Sequence, residues 1–425
     1  MSNKKLHLAA FVSAGPVSGS HGGWRHPKAE GDLLSAGYYQ NIGRLLEQGR
    51  FDLLFIADIV AIPDTLGGSL ESQLRYGALG ALRLDPLTVL SFVAAATKHI
   101  GLGATISTTY TQPYSVARAL ATLDHLSGGR AAWNIVTSFQ ESEARNFGLT
   151  EQLSRDERYD RADEFLDVTV KLWDSWRDGA LVRDRQKPLF ADPTKVRRID
   201  HAGKWFNVRG PLNVSRPPQG RPVFIQAGAS DRGRDFAARW AEIIFVTPGL
   251  IDVAVEFRND LRARAVRFGR DPDTLKVLPG IAPVIAETEN TAKALCDELY
   301  GLAHPTAGLS TLSYHLGVDL SLFPQDQVLP ENLDVPGVQG HLPGGCRTDP
   351  SLRREPCRTW TAVRRRPHHA RLHRHARLGG GSHAGMVRGR SLRRLHAAGT
   401  LFARRRRGCR SPPGARAATA RPVPH

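Results

Sequence analysis

A chain of 425 residues with 58 Lys and Arg against 41 Asp and Glu carries a formal charge of +17, which taken whole suggests a nucleic-acid or membrane partner. The excess is local: residues 341–425 hold 21 of the basic residues, all arginine, and two acids, Asp349 and Glu355, so this tail carries +19 and residues 1–340 carry −2. The body is therefore a near-neutral globular domain; its single cysteine, Cys296, excludes a disulfide framework and fits a reducing cytoplasm, and no apolar run approaches the roughly 20 residues of a membrane span.

In chain order, short apolar runs alternate with helical patterns. The opening text mimics a signal peptide, but His7 interrupts its short apolar stretch, and Leu6–Phe11 reads better as a first strand. There follow a helix over Tyr38–Gln48, a strand over Leu53–Ile56, a helix over Pro86–Lys98 and a strand over Leu102–Ile106. Next come a helix over Ser115–Leu126, the turn Gly128-Gly129, a strand over Ala131–Val136 and a helix over Tyr159–Trp176. The series ends with Val223–Gln226 (strand), Arg232–Ala241 (helix), Ile243–Val246 (strand), Val253–Phe268 (helix) and Val277–Ile285 (strand). Near-continuous apolar strands separated by helices predict a parallel sheet buried on both faces, hence an α/β (β/α)8 TIM barrel. Seven strands are visible; a closed barrel needs an eighth, and the last βα unit, which falls where the composition breaks, is expected to be lost, leaving a poor or inactive catalyst.

Barrel active sites lie at the C-terminal ends of strands, and several of these ends are polar. The second strand runs into Asp58, which either caps the next helix or faces a ligand. The third contains Thr105 and continues into Ser107-Thr108-Thr109, a hydroxyl-rich edge that β-propensity alone also explains. The fourth delivers Asn134, Thr137 and Ser138. After the fifth, Gln226-Ala227-Gly228-Ala229-Ser230 leads straight into a helix, whose free N–H groups favour phosphate. The charged stretch from Arg155 through Tyr159 to Glu164 is either a second phosphate clamp or a solvated helical face. No GxGxxG opens a βαβ unit: Gly101-Leu102-Gly103-Ala104 sits inside a strand and lacks the third glycine. No metal site is assigned.

The text from Ala117 to Ser138, the QAGAS turn, and His21-Gly22-Gly23-Trp24-Arg25-His26 resemble the bacterial-luciferase-like flavin-dependent monooxygenases. The similarity is to the group containing nitrilotriacetate monooxygenase component A, long-chain alkane monooxygenase and dibenzothiophene-sulfone monooxygenase, and it runs from about Leu6 to Val338. The resemblance implies FMN, reduced by a separate NAD(P)H:flavin reductase, with O2 as co-substrate and a C4a-peroxyflavin that inserts one oxygen atom into a small organic substrate. It implies Asp58, Thr105, Thr137, Ser138, Arg155, Tyr159, Gly228, Ala229 and Ser230 as flavin contacts, with Tyr159 and Ser230 at the phosphate. The family commonly has His where Arg155 stands. It places His21 and His315 beside the substrate and Asn134 beside the flavin; for both histidines a loop-ordering or structural role stands equally. Phe11, Phe55 and Phe245 fall near the expected flavin faces, where core packing is the simpler account.

Alkane-oxidising relatives carry Cys and His where this chain has Gly15 and Ser18, which argues against alkanes. Organosulfur or aromatic substrates are expected first, aminopolycarboxylates second, in a homo-oligomer with neither nucleic acid nor membrane as partner. The rivals are a deazaflavin-dependent dehydrogenase on the same barrel, and a truncated flavin-binding relic. The second arises from the tail, which mixes Arg, Gly, Pro, Ala and His without Lys. Read one base out of frame, suitable codons for Gly414–Pro424 spell VPELQRRGRFR, similar to the family's C-terminal segment. Residues 341–425 are thus expected to be an out-of-frame, disordered tail, the other reading being a basic arm.

Overall fold

The computed structural model describes residues 5–16, 21–29, 32–246, 251–324, 329 and 333; the tail, with every expectation placed on it, lies outside them. Seven parallel strands form one sheet in sequential order: β1 (Ala9–Ser13), β2 (Leu53–Ala57), β3 (Gly101–Ser107), β4 (Ala131–Val136), β5 (Val223–Gln226), β6 (Ile243–Val246) and β7 (Lys276–Pro279). The sheet curls as in a TIM barrel. Ten α-helices accompany it among the described residues: α1 (Ala36–Gln48), α2 (Glu71–Tyr76), α3 (Pro86–Ala96), α4 (Pro113–Ser127), α5 (Glu141–Asn146), α6 (Arg155–Trp173), α7 (Asp231–Trp240), α8 (Ile251–Arg267), α9 (Glu289–Gly301) and α10 (Pro305–Leu316).

Local chemistry sets many of these boundaries. Asp85 caps α3 by accepting from Thr88 N, with Pro86 pre-set at the first helical position. Ser154 and Glu157 form a reciprocal capping box at the start of α6. Gly128 and Gly129 end α4 at φ 70° and 85°, a left-handed turn that points the chain into β4.

Register decides which side chains face inward. Phe11 pairs with Phe55, Thr105 with Asn134, and Asn134 with Ile225. Leu53, Phe55, Ala132 and Ile225 fill the interior, while Trp133 and Ile135 alternate outward against α4 and α6. Trp133 packs on Phe165 and Phe224 and donates its indole N–H to Ile106 O at 3.0 Å. At the opposite end from the site, buried Asp124 accepts from Ala131 N and Gln219 N, both at 3.1 Å, tying α4 to the starts of β4 and β5.

β4, β5 and β6 match the expected ranges, whereas β1 runs Ala9–Ser13 in place of Leu6–Phe11, and β7 stops at Pro279 in place of Ile285. Leu6, Ile281 and Ile285 are exposed, so those ends bury nothing and make no ladder. Helices α2, α5, α9 and α10 were not anticipated, nor were two small hairpins, Leu181–Asp184 with Leu189–Ala191 and His201–Ala202 with Asn207–Val208.

Candidate active site

The polar residues anticipated at strand ends gather on one rim of the sheet. Thr105 Oγ1 donates to Ile56 O at 2.7 Å and accepts from Asn134 Nδ2 at 3.0 Å, joining β2, β3 and β4. Asn134 is buried, and its Oδ1 has no hydrogen-bond partner among the described residues. Such an acceptor is costly unless something with an N–H or O–H meets it. Just beyond, Ser138 sits at φ 50°, a left-handed conformation uncommon for a residue with a Cβ, and donates to Ser107 Oγ at 3.0 Å. Thr137 is held through its carbonyl, which accepts from Thr109 Oγ1 at 2.6 Å.

Gly228, Ala229 and Ser230 form the entry to α7. Ser230 Oγ caps the helix by accepting from Gly233 N at 3.2 Å. Tyr159 is 8% exposed, so the helical stretch that carries it is not a solvated face at this position. Its hydroxyl hydrogen-bonds with Ser230 and Gln226, and burial raises its pKa. A Cβ on Gly233 would stand 2.7 Å from Tyr159 Oη and 3.1 Å from Ser230 Oγ; one on Gly228 would stand 2.8 Å from Gly233 Cα. Tyr159, Ser230 and the two backbone segments therefore approach this closely only because both positions are glycine. Arg155 and Arg158 lie close enough to Tyr159 to lower that pKa in part, and Arg158 is buried with its Nε unpartnered among the described residues.

Asp58 does not cap a helix, since α2 begins at Glu71 with Leu70 before it. Burial pushes its carboxyl up to about 7, against the opposing pull of Ile59 N–H and Arg83. Glu143, on α5, accepts from Val60 N at 3.2 Å and is likewise raised by burial.

The opposite wall comes from chain ends far apart in sequence. Trp24 donates to Tyr76 O at 3.0 Å, and Arg25 donates to Leu302 O at 2.7 Å, so the loop holding His21 is fastened to α2 and to the α9–α10 turn. Tyr76 stacks on His304 with centroids 3.8 Å apart. His315 lies in the last turn of α10, edge-on to Tyr314, which in turn meets Phe139 at 5.4 Å. Phe11, Phe55 and Phe245 pack on one another, with centroids 5.1–6.1 Å apart, inside the sheet. Arg83, Glu143 and Tyr314 escaped the sequence reading; each stands in a segment with no strand-end signal.

Among the described residues no group of His, Cys, Asp and Glu is arranged to hold a metal ion. A flavin mononucleotide fits what is present: an unanswered acceptor at Asn134 for a ring N–H, and a glycine-lined helix N-terminus with two hydroxyls for a phosphate.

The family described as luciferase-like monooxygenase matches residues 17–327. Dibenzothiophene-sulfone monooxygenase of Rhodococcus erythropolis (strain XP) is 50% identical over 323 residues, 76% of this chain and 71% of that protein. Nitrilotriacetate monooxygenase component A of Aminobacter aminovorans is 43% identical over 346 residues, 80% of this chain and 75% of that protein. Among solved structures, a long-chain alkane monooxygenase superposes with TM-score 0.75 at 39% identity, covering 78% of this chain and 76% of that one. A riboflavin lyase with modified FMN gives 0.73 at 35%, covering 79% and 75%. The chain belongs to the luciferase-like monooxygenase family, and it is an FMN-dependent monooxygenase.

Proposed function

We propose that this chain is the oxygenase component of a two-component system, taking reduced FMN from a separate NAD(P)H:flavin reductase and oxygenating a small organosulfur or aromatic compound in the cytoplasm. The observation that carries the reading is the pairing, on one rim, of the glycine-lined entry to α7, with its two hydroxyls, and the buried Oδ1 of Asn134, which has no hydrogen-bond partner among the described residues. The similarity to dibenzothiophene-sulfone monooxygenase points to an aryl sulfone as the first compound to test, and the relation to a nitrilotriacetate monooxygenase keeps aminopolycarboxylates second. The monooxygenase relatives favour this reading over a deazaflavin-dependent dehydrogenase.

In this reading Tyr159, Ser230 and the first N–H groups of α7 hold the phosphate, with Arg155 adding charge and Gly228 and Ala229 letting the backbone approach. Asn134 and Thr105 would orient the flavin ring, with Thr137, Ser138 and Asp58 as its further contacts. Reduced FMN supplies the electrons that activate dioxygen; one oxygen atom enters the substrate and the other leaves as water. His21 and His315 exchange protons with the departing oxygen or the substrate, and the Phe55–Phe245 interior keeps water out. Residues 1–340 are the luciferase-like barrel without its last βα unit, and residues 341–425 are an out-of-frame tail, which reading the gene around codon 341 checks directly.

Two measurements test the function. The purified chain with FMN and NADH oxidises no NADH until a flavin reductase is added. With reductase, dibenzothiophene sulfone and 18O2, one labelled oxygen atom appears in the product. Steady NADH consumption without reductase, or product free of label, refutes it.

A further inference from the structure

Helix α5 is six residues long, and the polar side chains of its segment are spent on distant parts of the chain. Gln140 stands at the N-cap without capping. Its Nε2 donates instead to Tyr314 O on α10, and its Oε1 accepts from Thr65 Oγ1 at 3.3 Å. Glu143, three residues on, is 4% exposed and takes the N–H groups of Phe139 and Gln140, as the acid of a capping box does. It also accepts from Val60 N at 3.2 Å, across 83 residues. Asn146 Nδ2 donates to Val60 O at 3.0 Å, so side chains of α5 hold both backbone polar groups of Val60.

That grip joins two ends of the sheet that do not touch. β3 lies between β2 and β4, so no ladder bond fixes the spacing of their C-terminal ends. Val60 follows Asp58 by two residues beyond β2, and Phe139 follows Ser138 directly beyond β4. One buried carboxylate bonded to both segments does what the ladder cannot. A capping acid needs only the N–H groups of its own helix; the donor from Val60 is the part that capping leaves unexplained. Removing the carboxylate strands N–H groups on both segments at once.

We infer that Glu143 is a positioning residue for flavin binding, setting the spacing between the segment that carries Asp58 and the segment that carries Ser138. This rests on the flavin contacts proposed above for Asp58 and Ser138, and deepens that reading by assigning the group that holds them together.

The test reads FMN affinity by fluorescence titration, and backbone hydrogen exchange over residues 58–62, on the full chain. Glu143→Ala weakens FMN binding about tenfold or more and speeds exchange in that segment. Glu143→Gln, which keeps an oxygen for Val60 N–H, restores affinity to within about threefold of wild type. Glu47→Ala is the control. That carboxylate also accepts backbone N–H groups, from Lys98 and Ile100 at 2.8 and 3.1 Å, but at the opposite end of the sheet. Its loss lowers the melting temperature and leaves FMN affinity within about twofold of wild type. Should Glu143→Ala fail to fold, Asn146→Ala, at an exposed position, releases Val60 O and weakens FMN binding about threefold or more; unchanged affinity there overturns the inference. So does unchanged affinity in Glu143→Ala, or an equal loss in Glu47→Ala. Lost affinity with unaltered exchange also overturns it, assigning Glu143 to the flavin itself. Asp58→Ala, measured alongside, separates inference from reading. If it leaves FMN affinity unchanged, the contact reading and the inference fall together; if it weakens FMN binding and Glu143→Ala does not, the inference alone falls.

Discussion

Asp58 carries a consequence for pH. In an unfolded chain its carboxyl titrates near 3.8, whereas burial in the folded chain moves it to about 7. Between those values the folded chain keeps a proton that the unfolded chain has lost, so this group's stabilisation is complete below about pH 4 and is lost as pH rises through 7. The slope from one such group approaches about 1.4 kcal/mol per pH unit. Asp58→Asn removes it, leaving a weaker slope from Glu143, and urea unfolding at pH 5 and pH 7 measures the difference. A variant with the wild-type slope would show that Asp58 is solvated. Asp58 was legible as a strand-end acid, but its two readings were separable only by where the next helix starts. Arg83 was not legible at all, since nothing local to Leu82-Arg83-Leu84 says that its guanidinium is buried against residues from β2 and α10.

The entry to α7 combines a cap, a cradle and a dipole in one element. Ser230→Ala with Tyr159→Phe removes both hydroxyls; losing a charge-assisted hydrogen bond costs roughly 1.5–3 kcal/mol, about tenfold or more in affinity. Flavin fluorescence titration reads this, and unchanged FMN affinity would move the phosphate elsewhere. Ser230→Ala alone also lowers stability by roughly 1 kcal/mol through the lost cap. Strands β4, β5 and β6 were readable to the residue because strands buried on both faces are unbroken apolar runs bounded by polar text. Helix α10 was not, for the converse reason. It buries Ser310, Thr311 and Ser313, so it shows no apolar stripe, and two of these hydroxyls are used internally: Ser310 with Ser72 and Gln73, Ser313 with Leu320 N. Side-chain pairing across 238 residues leaves no trace in a window of ten.

Across the molecule, the sheet runs from β1 to β7 without a described strand joining the two, and the interior registers this seam. Phe11 and Phe55 are paired neighbours on adjacent strands, yet Phe11 is 53% exposed and Phe55 only 4%. Phe55→Ala is expected to cost roughly 3–5 kcal/mol and Phe11→Ala about half that or less, by urea denaturation. Equal costs would mean that the seam is covered in solution. The walls of the site carry a different kind of long reach. Arg25 waits for Leu302, Gly67 for Asp319 and Ser72 for Ser310, separations of 277, 252 and 238 residues. At a ribosomal pace of roughly 5–20 residues per second, those early loops stand without their partners for about ten seconds to most of a minute. The sheet from β1 to β5 is complete in sequence long before, at Gln226. Birth order therefore makes the wall fastened through Leu302, Ser310 and Asp319 the last part assembled: a nascent chain stalled before Leu302 has the entry to α7 in hand and no fastening at Leu302 for the loop that carries Arg25.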